Sequence, residues 1–245
     1  MAFEPQLRRL LLQEGLPSAH ERQTLVCCAL LPPTLKERLP ELARADTVTV
    51  RLTGSAALHA ACDNVLVEQR VVFAEERSKQ AELGRLVRQE AGPTVVVCST
   101  RRRCEMVAYL LQGEGIEAVV QPDRLKPRDR EMAMQAFVSG ACRVLLVSDS
   151  ALAELHIASL GVRVAHLVGF DLPASMVGYA GRVGCTARGG HTGVLSTLIG
   201  EYESKESLVQ LMALLRCCDS EVPRWLEGQA TLSHSAPLPP VTPRA

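Results

Sequence analysis

From residue 79 onward the spacing of hydrophobic positions along the chain switches repeatedly between helical spacing and continuous runs. These switches predict helices and strands in alternation. Residues 79–91 (KQAELGRLVRQEA) place apolar side chains at helical spacing, and Gly92-Pro93 ends the helix that they predict. Residues 94–100 (TVVVCST) form a continuous, mostly β-branched run, which is typical of a strand buried on both faces. Strands that alternate with helices favour an α/β fold with a doubly wound parallel sheet. The same signals predict further strands at 117–121, 143–149, 164–171 and 192–199, and further helices at 103–112, 127–140 and 204–218.

The first 55 residues follow a different pattern, because their two predicted strands cannot form an α/β layer alone. We therefore interpret residues 1–55 as the remnant of another domain and residues 56–66 as a linker. Residues 67–230 then form the main domain, and the Pro- and Ser-rich residues 231–245 form a disordered tail. Strands without a full sheet leave unpaired edges, so residues 1–55 are a candidate contact surface for a protein partner. Within that segment the pattern predicts helices at 4–15 and 33–43 and strands at 23–31 and 47–52.

Composition excludes several classes of protein. Apolar residues make up 47% of the 245-residue chain, which is enough for a large core, whereas the formal net charge is zero. Any contact with nucleic acid must therefore come from a local basic patch rather than from the charge of the whole chain. The nine cysteines contain no Cys-x-x-Cys pair, so neither a metal site nor a disulfide framework is predicted. The charged N-terminus, and the lack of an apolar run of about 18 residues, predict no signal peptide, no membrane span and an intracellular location, cytoplasmic or nuclear.

Two arginines, Arg182 and Arg188, lie in the glycine-rich residues 179–193 (YAGRVGCTARGGHTG). Each glycine costs a helix about 1 kcal/mol relative to alanine, so this pattern favours a loop. Glycines let a loop approach a phosphate closely, and a guanidinium presents a planar fork of donors to it. A solvated surface loop is the alternative interpretation.

Several segments, taken in chain order, resemble the motifs of DEAD-box RNA helicases, and specifically of their Vasa-like branch. The resemblance runs from residue 3 to about residue 228, and the agreement in order makes the signal specific. The similar segments are the FEPQLRR helix (3–9), the strand in the place of the Ser-Ala-Thr motif (23–33), motif IV (95–100), FDLP (170–173) with motif VI (179–190), and SEVPRWLEGQA (220–230).

The resemblance implies a RecA-like, helicase C-terminal domain. In such enzymes two RecA-like domains hold ATP and Mg²⁺ between them, and RNA lies across both domains. Motif VI arginines stabilise the transferring phosphoryl group, so Arg182 and Arg188 are the candidate nucleotide-binding residues, and Arg188 is the candidate arginine finger. Arg101 and Arg102 begin a helix after a strand, at the end where ligands bind open α/β sheets. Arg130 is the arginine that remains of the family's Gln-x-x-Arg motif. These three are the candidate RNA-binding residues, with a solvated helix start as the alternative for the first two.

The sequence also departs from the family pattern. It contains no Gly-Lys dipeptide and no Asp-Glu-x-Asp, so we expect the chain alone to hold neither ATP nor Mg²⁺. Cys185 replaces one of the two motif VI arginines expected at the γ-phosphate, and the Ser-Ala-Thr positions read Cys28-Ala29-Leu30. In motif V, Asp149 stands where a threonine would meet an RNA phosphate, and Glu154 replaces an arginine. Two such carboxylates would each repel a phosphodiester by about 1 kcal/mol even in a water-like medium.

Three functions remain open from the sequence. The first is a degenerate helicase-like protein that binds RNA or protein without catalysis, through residues 1–55 or through the face of the helicase cleft. The second is a shortened form of an active ATP-dependent RNA helicase. The third is a regulator that docks on a complete helicase.

Two further expectations concern the core: His166 is a core residue rather than a ligand, and Trp225 anchors the C-terminal segment by burying its ring.

Overall fold

A computed structural model of the chain describes residues 54–121, 127–154, 161–187 and 190–231, together with shorter stretches between residues 9 and 50. Contacts divide the chain into two compact units, Met1–Leu52 and Thr53–Ala245. No helix in the described part of the chain is both long and apolar enough to cross a membrane.

The N-terminal unit does not contain the predicted strands where it is described. Residues 23–26 and 47–50 form no strand, and the side chains of Val48 and Val50 are 83% and 81% exposed. The prediction is wrong at these positions because a strand is stable only when a neighbour completes its ladder of backbone hydrogen bonds. Arg22 instead joins the local loops, since its guanidinium donates to the carbonyl oxygens of Pro17 and Leu42. The other residues of both predicted strands lie outside the described residues.

The second unit is built on one six-stranded sheet in which every neighbouring pair is parallel. This confirms the predicted α/β fold with a doubly wound parallel sheet. The strands follow the order β1-β6-β5-β2-β4-β3, so β1 and β3 are the edges. The strands are β1 (Val67–Phe73), β2 (Thr94–Cys98), β3 (Val119–Val120), β4 (Val144–Ser148), β5 (His166–Gly169) and β6 (Gly193–Ile199).

Helices lie on both faces of this sheet and close two hydrophobic clusters, one on each face. The central strands β2 and β4 are buried at every position, as their continuous apolar runs predict. The helices are α1 (Gly54–Cys62), α2 (Lys79–Gln89), α3 (Arg101–Gly113), α4 (Pro127–Val138), α5 (Asp149–Glu154), α6 (Met176–Cys185), α7 (Lys205–Cys217) and α8 (Arg224–Thr231).

The stretch that the sequence assigns to a linker is largely helical. Helix α1 covers residues 54–62 and packs against α6 and α7, with Cys62 fully buried in the core. The segment is therefore part of the second unit, because its apolar side contributes to the core of that unit.

Helix α6 differs from the loop that the glycine pattern predicts. The chain is helical from Met176 to Cys185, and the side chains of Met176, Tyr179 and Val183 are buried against the core. Gly178 allows close packing, since a Cβ atom there would lie 3.1 Å from Pro173 Cβ. Tertiary packing of an apolar face thus overcomes the low helix propensity of the glycines. The loop begins only after Cys185, and Ala187 takes a positive φ of 54°.

The C-terminal segment folds back on the sheet through Trp225. Its indole lies 5.5 Å from the Phe73 ring, centroid to centroid, and it packs against the core while staying half-buried. Leu226 beside it is fully buried. The expectation that Trp225 anchors this segment is confirmed by its contact with Phe73 at the end of β1, but its ring is only half-buried rather than buried as predicted. The predicted tail, residues 231–245, lies outside the described residues from 232 onward.

His166 opens strand β5 and is fully buried. Its Nε2 atom lies 2.8 Å from the hydroxyl of Ser196 on the neighbouring strand β6, whereas no described residue hydrogen-bonds to Nδ1. Burial, assisted by the positive charge of Arg70, lowers the pKa of His166 to about 4. The side chain is therefore a neutral core residue, as the sequence predicts.

Candidate functional site

The carboxyl ends of all six strands lie along the same side of the sheet, because every pair is parallel. In this section "the edge" means this carboxyl side of the sheet, as distinct from the outer strands β1 and β3. Open α/β sheets bind ligands at this edge, so it is where a functional site is expected. Several charged side chains follow the strands there: Glu76 and Lys79 after β1, Arg101 to Arg103 after β2, Asp149 after β4, Asp171 after β5, and Glu201 and Glu203 after β6.

Arg182 lies on α6 beneath this edge and is 0% exposed. Its Nε and one terminal nitrogen donate to Asp149 Oδ1, at 3.1 and 2.8 Å. Its other terminal nitrogen donates to the carbonyl oxygen of Asp171 at 2.7 Å. The guanidinium therefore joins the ends of β4 and β5, and its hydrogen bonds are directed into the protein rather than toward a ligand.

Asp149 is the partner that the sequence does not identify. That its carboxylate faces an RNA phosphate and repels it stays a prediction, but the structure adds a partner that bears on it. The carboxylate is paired with Arg182, and its side chain is only about one third exposed. The pairing neutralises its charge, so its repulsion of a phosphate is much weaker than sequence reasoning implies. The side chain of Glu154 is outside the described residues.

A second cluster surrounds Asp171 and the ring of Phe170. Asp171 Oδ2 accepts the backbone N–H of Ser99 at 2.8 Å, and Asp171 Oδ1 lies 2.8 Å from Arg103 Nε. Arg103 Cζ and Lys79 Nζ lie 5.2 and 5.7 Å from the centroid of the Phe170 ring, within the range of a cation–π contact. Phe170 and Asp171 thus hold both cations at the edge of the sheet.

Glu76 completes this second cluster. It forms ion pairs with Arg103 and with Lys79, whose Nζ lies 3.2 Å from Glu76 Oε2. Burial of Glu76 opposes its ionisation, but the hydrogen bond from Arg103 and the charge of Lys79 hold its pKa below the usual value. Glu203 nearby behaves oppositely, since burial raises its pKa despite the charge of Lys79. Lys79 is itself almost fully buried, so its charge is balanced inside the protein.

The candidate RNA-binding arginines differ in whether they are paired with a carboxylate. Arg101 forms an ion pair with Glu105 one helical turn later, with 2.9 Å between Arg101 Nε and Glu105 Oε1. Arg102 is exposed and forms no ion pair with a described residue. Arg130 lies in α4, but its side chain is outside the described residues. Thr100 caps α3 by accepting the N–H of Arg103, which fixes how the arginines leave the strand.

Of the candidate nucleotide-binding residues, the described structure contains only one. Arg188 lies outside the described residues, whereas Arg182 is buried and paired as described above. Sequence reasoning missed Lys79 and Asp171, which organise the edge. The available signal was their position: Asp171 ends the predicted strand 164–171 and Lys79 begins the predicted helix 79–91, and side chains at such positions reach the edge of a parallel sheet.

Most of the cations at this edge are neutralised by carboxylates of the protein itself. Lys79, Arg101, Arg103 and Arg182 each face a carboxylate, whereas Arg77, Arg102 and Lys205 are exposed and form no ion pair with a described residue. A site for a polyphosphate needs several uncompensated donors that converge on one point. No hydrogen bond or ion pair among the described residues joins the unpaired cations into such a set. Nor do the described residues contain a group of three or more His, Cys, Asp or Glu side chains that could hold a metal ion.

Comparison with known proteins gives one family and a consistent fold. Residues 78–190 match the family described as the helicase conserved C-terminal domain. The chain is 30% identical over 241 residues to the probable ATP-dependent RNA helicase DDX4 of Pelophylax lessonae, across 96% of this chain and 32% of that protein. The DDX4 protein of Macaca fascicularis is 30% identical over 230 residues, across 93% of this chain and 30% of that protein. The chain therefore spans about a third of the length of these relatives.

A solved structure supports the same fold. The yeast DEAD-box splicing factor Prp28 aligns with a TM-score of 0.63 at 18% identity, across 94% of this chain and 50% of that chain. Similarity at this level of identity establishes the architecture of the sheet and its helices. The predicted RecA-like architecture is therefore confirmed by a measure independent of the motifs.

Proposed function

Because the chain belongs to the DEAD-box RNA helicase C-terminal domain family, with Vasa-like relatives over most of its length, we propose that it is a non-catalytic member that acts by binding another protein. In this proposal the chain alone neither holds nor hydrolyses ATP. Contact with RNA, which the names of its relatives suggest, contributes little to its function.

The internal pairing of Arg182 carries the proposal. Its three hydrogen bonds go to Asp149 and to the carbonyl oxygen of Asp171, so this arginine serves the fold. Cys185 stands where the family resemblance expects an arginine at the γ-phosphate, which leaves Arg188 as the remaining candidate. Loss of an arginine finger lowers phosphoryl-transfer rates by roughly 10³–10⁵.

The charge balance of the sheet edge favours a protein partner over RNA. Each phosphate contact needs a cation whose charge is not already neutralised, and nucleic-acid affinity rises with the number of such contacts. Among the described residues of the edge, the exposed Arg77, Arg102 and Lys205 meet this requirement, whereas the other four cations are paired with carboxylates. An RNA contact through Arg102, with Arg101 and Arg130 as further candidates, remains part of the proposal as a minor activity.

A nucleotide-binding titration tests the first part of the proposal. We expect the purified chain to show no saturable change with a fluorescent ATP analogue and Mg²⁺ up to about 1 mM, which corresponds to less than about 4 kcal/mol of binding free energy. The Arg188→Ala variant should give the same trace. Saturable binding that is lost in Arg188→Ala and kept in Arg216→Ala, a surface arginine of α7, would contradict the proposal and favour an active helicase.

A further inference from the structure

Strand β1 forms an edge of the sheet, and its backbone is unpaired on one side. The N–H of Gly193 bonds to the carbonyl of Leu66, and the N–H of Ala74 bonds to the carbonyl of Ile199. Because backbone groups alternate in direction along a strand, the even-numbered residues of β1 face β6. The N–H and C=O groups of Gln69 and Val71 therefore point away from the sheet, and no described residue forms a hydrogen bond with them.

A groove of about 510 Å³ runs beside this free edge. One wall is β1 with the turn before it, and the other is the segment 218–223, which joins α7 to α8. Val65, at the start of the groove, is 96% exposed. The floor is apolar where Val67 and Val71 enter the core. The groove is thus shaped for an extended chain that can pair with a strand.

The rim of the groove is acidic. Four carboxylates line it, and all four residues are exposed. Arg70 is the one basic residue in the lining, and its charge is shared between Glu68, at 2.6 Å, and Glu90, at 3.3 Å. The rim therefore carries an excess of negative charge beside an unpaired strand. The four acidic residues are Asp63, Glu68, Asp219 and Glu221.

Strand β1 carries the charged residues Glu68 and Arg70 but lacks other devices that normally protect an edge. Its seven residues, VEQRVVF, contain no proline and no lysine, and all seven keep a regular register with β6. An edge strand of this length with a regular register can accept an added strand through its backbone hydrogen bonds.

From the free edge, the groove and the acidic rim, we propose that β1 is a docking site for an extended, lysine- or arginine-rich polypeptide segment of a partner protein. The segment adds to the sheet beside β1, bonds to the backbone of Gln69 and Val71, and places its basic side chains against the acidic rim. A second copy of this chain is a poor occupant, because two acidic rims would face each other. RNA is excluded by the same charge. The inference does not rest on the proposed lack of catalysis, since the residues that carry it are not those at the carboxyl end of the strands.

A labelled peptide tests this docking site on the full chain. The probe is a fluorescein-labelled peptide of about eight residues, the length of a typical strand, in which lysine alternates with valine. We expect a saturable rise in fluorescence anisotropy at low salt. A peptide with glutamate in place of lysine should not bind. A lysine peptide with N-methyl groups on alternate residues should bind at least about tenfold more weakly, because it cannot pair with a strand edge.

Charge reversal on the protein locates the site. The double variant Asp63→Lys with Glu221→Lys should weaken peptide binding by about tenfold or more. The matched control, Glu117→Lys with Glu131→Lys, changes the net charge equally, and both residues are exposed beside β3 at the opposite edge of the sheet. It should alter binding by no more than about twofold. Equal losses in the two variants, undiminished binding of the N-methylated peptide, or no binding of the lysine peptide would each overturn the proposal. Circular dichroism confirms that both variants are folded.

Discussion

Replacement of Arg182 with methionine is expected to lower the free energy of unfolding by about 3–5 kcal/mol, the cost of removing one partner of a buried ion pair. Methionine fills part of the space but cannot donate to Asp149 or to the carbonyl oxygen of Asp171. These groups lie at the carboxyl ends of β4 and β5, on either side of β2, so the substitution removes the link between the two strand ends. The packing is also tight, since a Cβ on Gly169 would lie 2.5 Å from an Arg182 terminal nitrogen.

Urea unfolding followed by circular dichroism measures this effect. The matched control is Arg216→Met, which removes an arginine whose pair with Glu227 is about half exposed on both sides. We expect that control to cost less than about 1 kcal/mol, as exposed pairs do. The variant Asp149→Asn should be destabilised as well, because it leaves the buried guanidinium without a counter-charge. A cost for Arg182→Met no larger than that for Arg216→Met would show that the arginine is not structural.

Acidification from pH 6.5 to pH 4 is expected to destabilise the protein by about 3 kcal/mol through His166 alone. The folded pKa of about 4 lies below the ordinary value of 6.5, because burial disfavours the charged ring. Between these two pH values the unfolded chain binds a proton that the folded chain does not, so the unfolding free energy falls as the pH falls. The slope is about 1.4 kcal/mol per pH unit, and the contribution levels off below the folded pKa.

The double variant His166→Leu with Ser196→Ala isolates this contribution. It removes the titrating ring together with the hydroxyl that the ring contacts, so no polar partner is left buried. Carboxylates titrate in the same range in both proteins, so the difference between wild type and variant is the relevant quantity. That difference should change by about 3 kcal/mol over the window, whereas a His191→Gln control, an exposed histidine, should track the wild type. Parallel curves for wild type and the double variant would contradict the assignment.

The buried strands of this fold were predictable because their signal is local. β2 and β4 are continuous apolar runs, and the sheet buries every residue of both. Strand β1 was not predicted as a strand, since VEQRVVF mixes polar and apolar residues as an edge strand does. The α6 helix was mistaken for a loop because helix propensity describes the isolated chain, whereas Tyr179 and Val183 are held by packing against other elements.

The candidate site was predictable only in part, for a related reason. The motif around Arg182 identified the residue, but its partner Asp149 lies 33 positions earlier in the chain. No local pattern shows that these two side chains meet. Lys79, Arg103 and Asp171 likewise come from three different strand ends and converge only in the folded sheet. Sequence motifs therefore identify the candidate arginines. Only the folded structure shows which of the described ones are already paired with a carboxylate.

Phosphate release from ATP, with and without single-stranded RNA, tests the central claim most directly. The account predicts that the purified chain shows no turnover above the rate of the Arg188→Ala variant, whether or not RNA is present. Turnover that RNA stimulates and that Arg188→Ala abolishes, while Arg216→Ala leaves it unchanged, would contradict the claim.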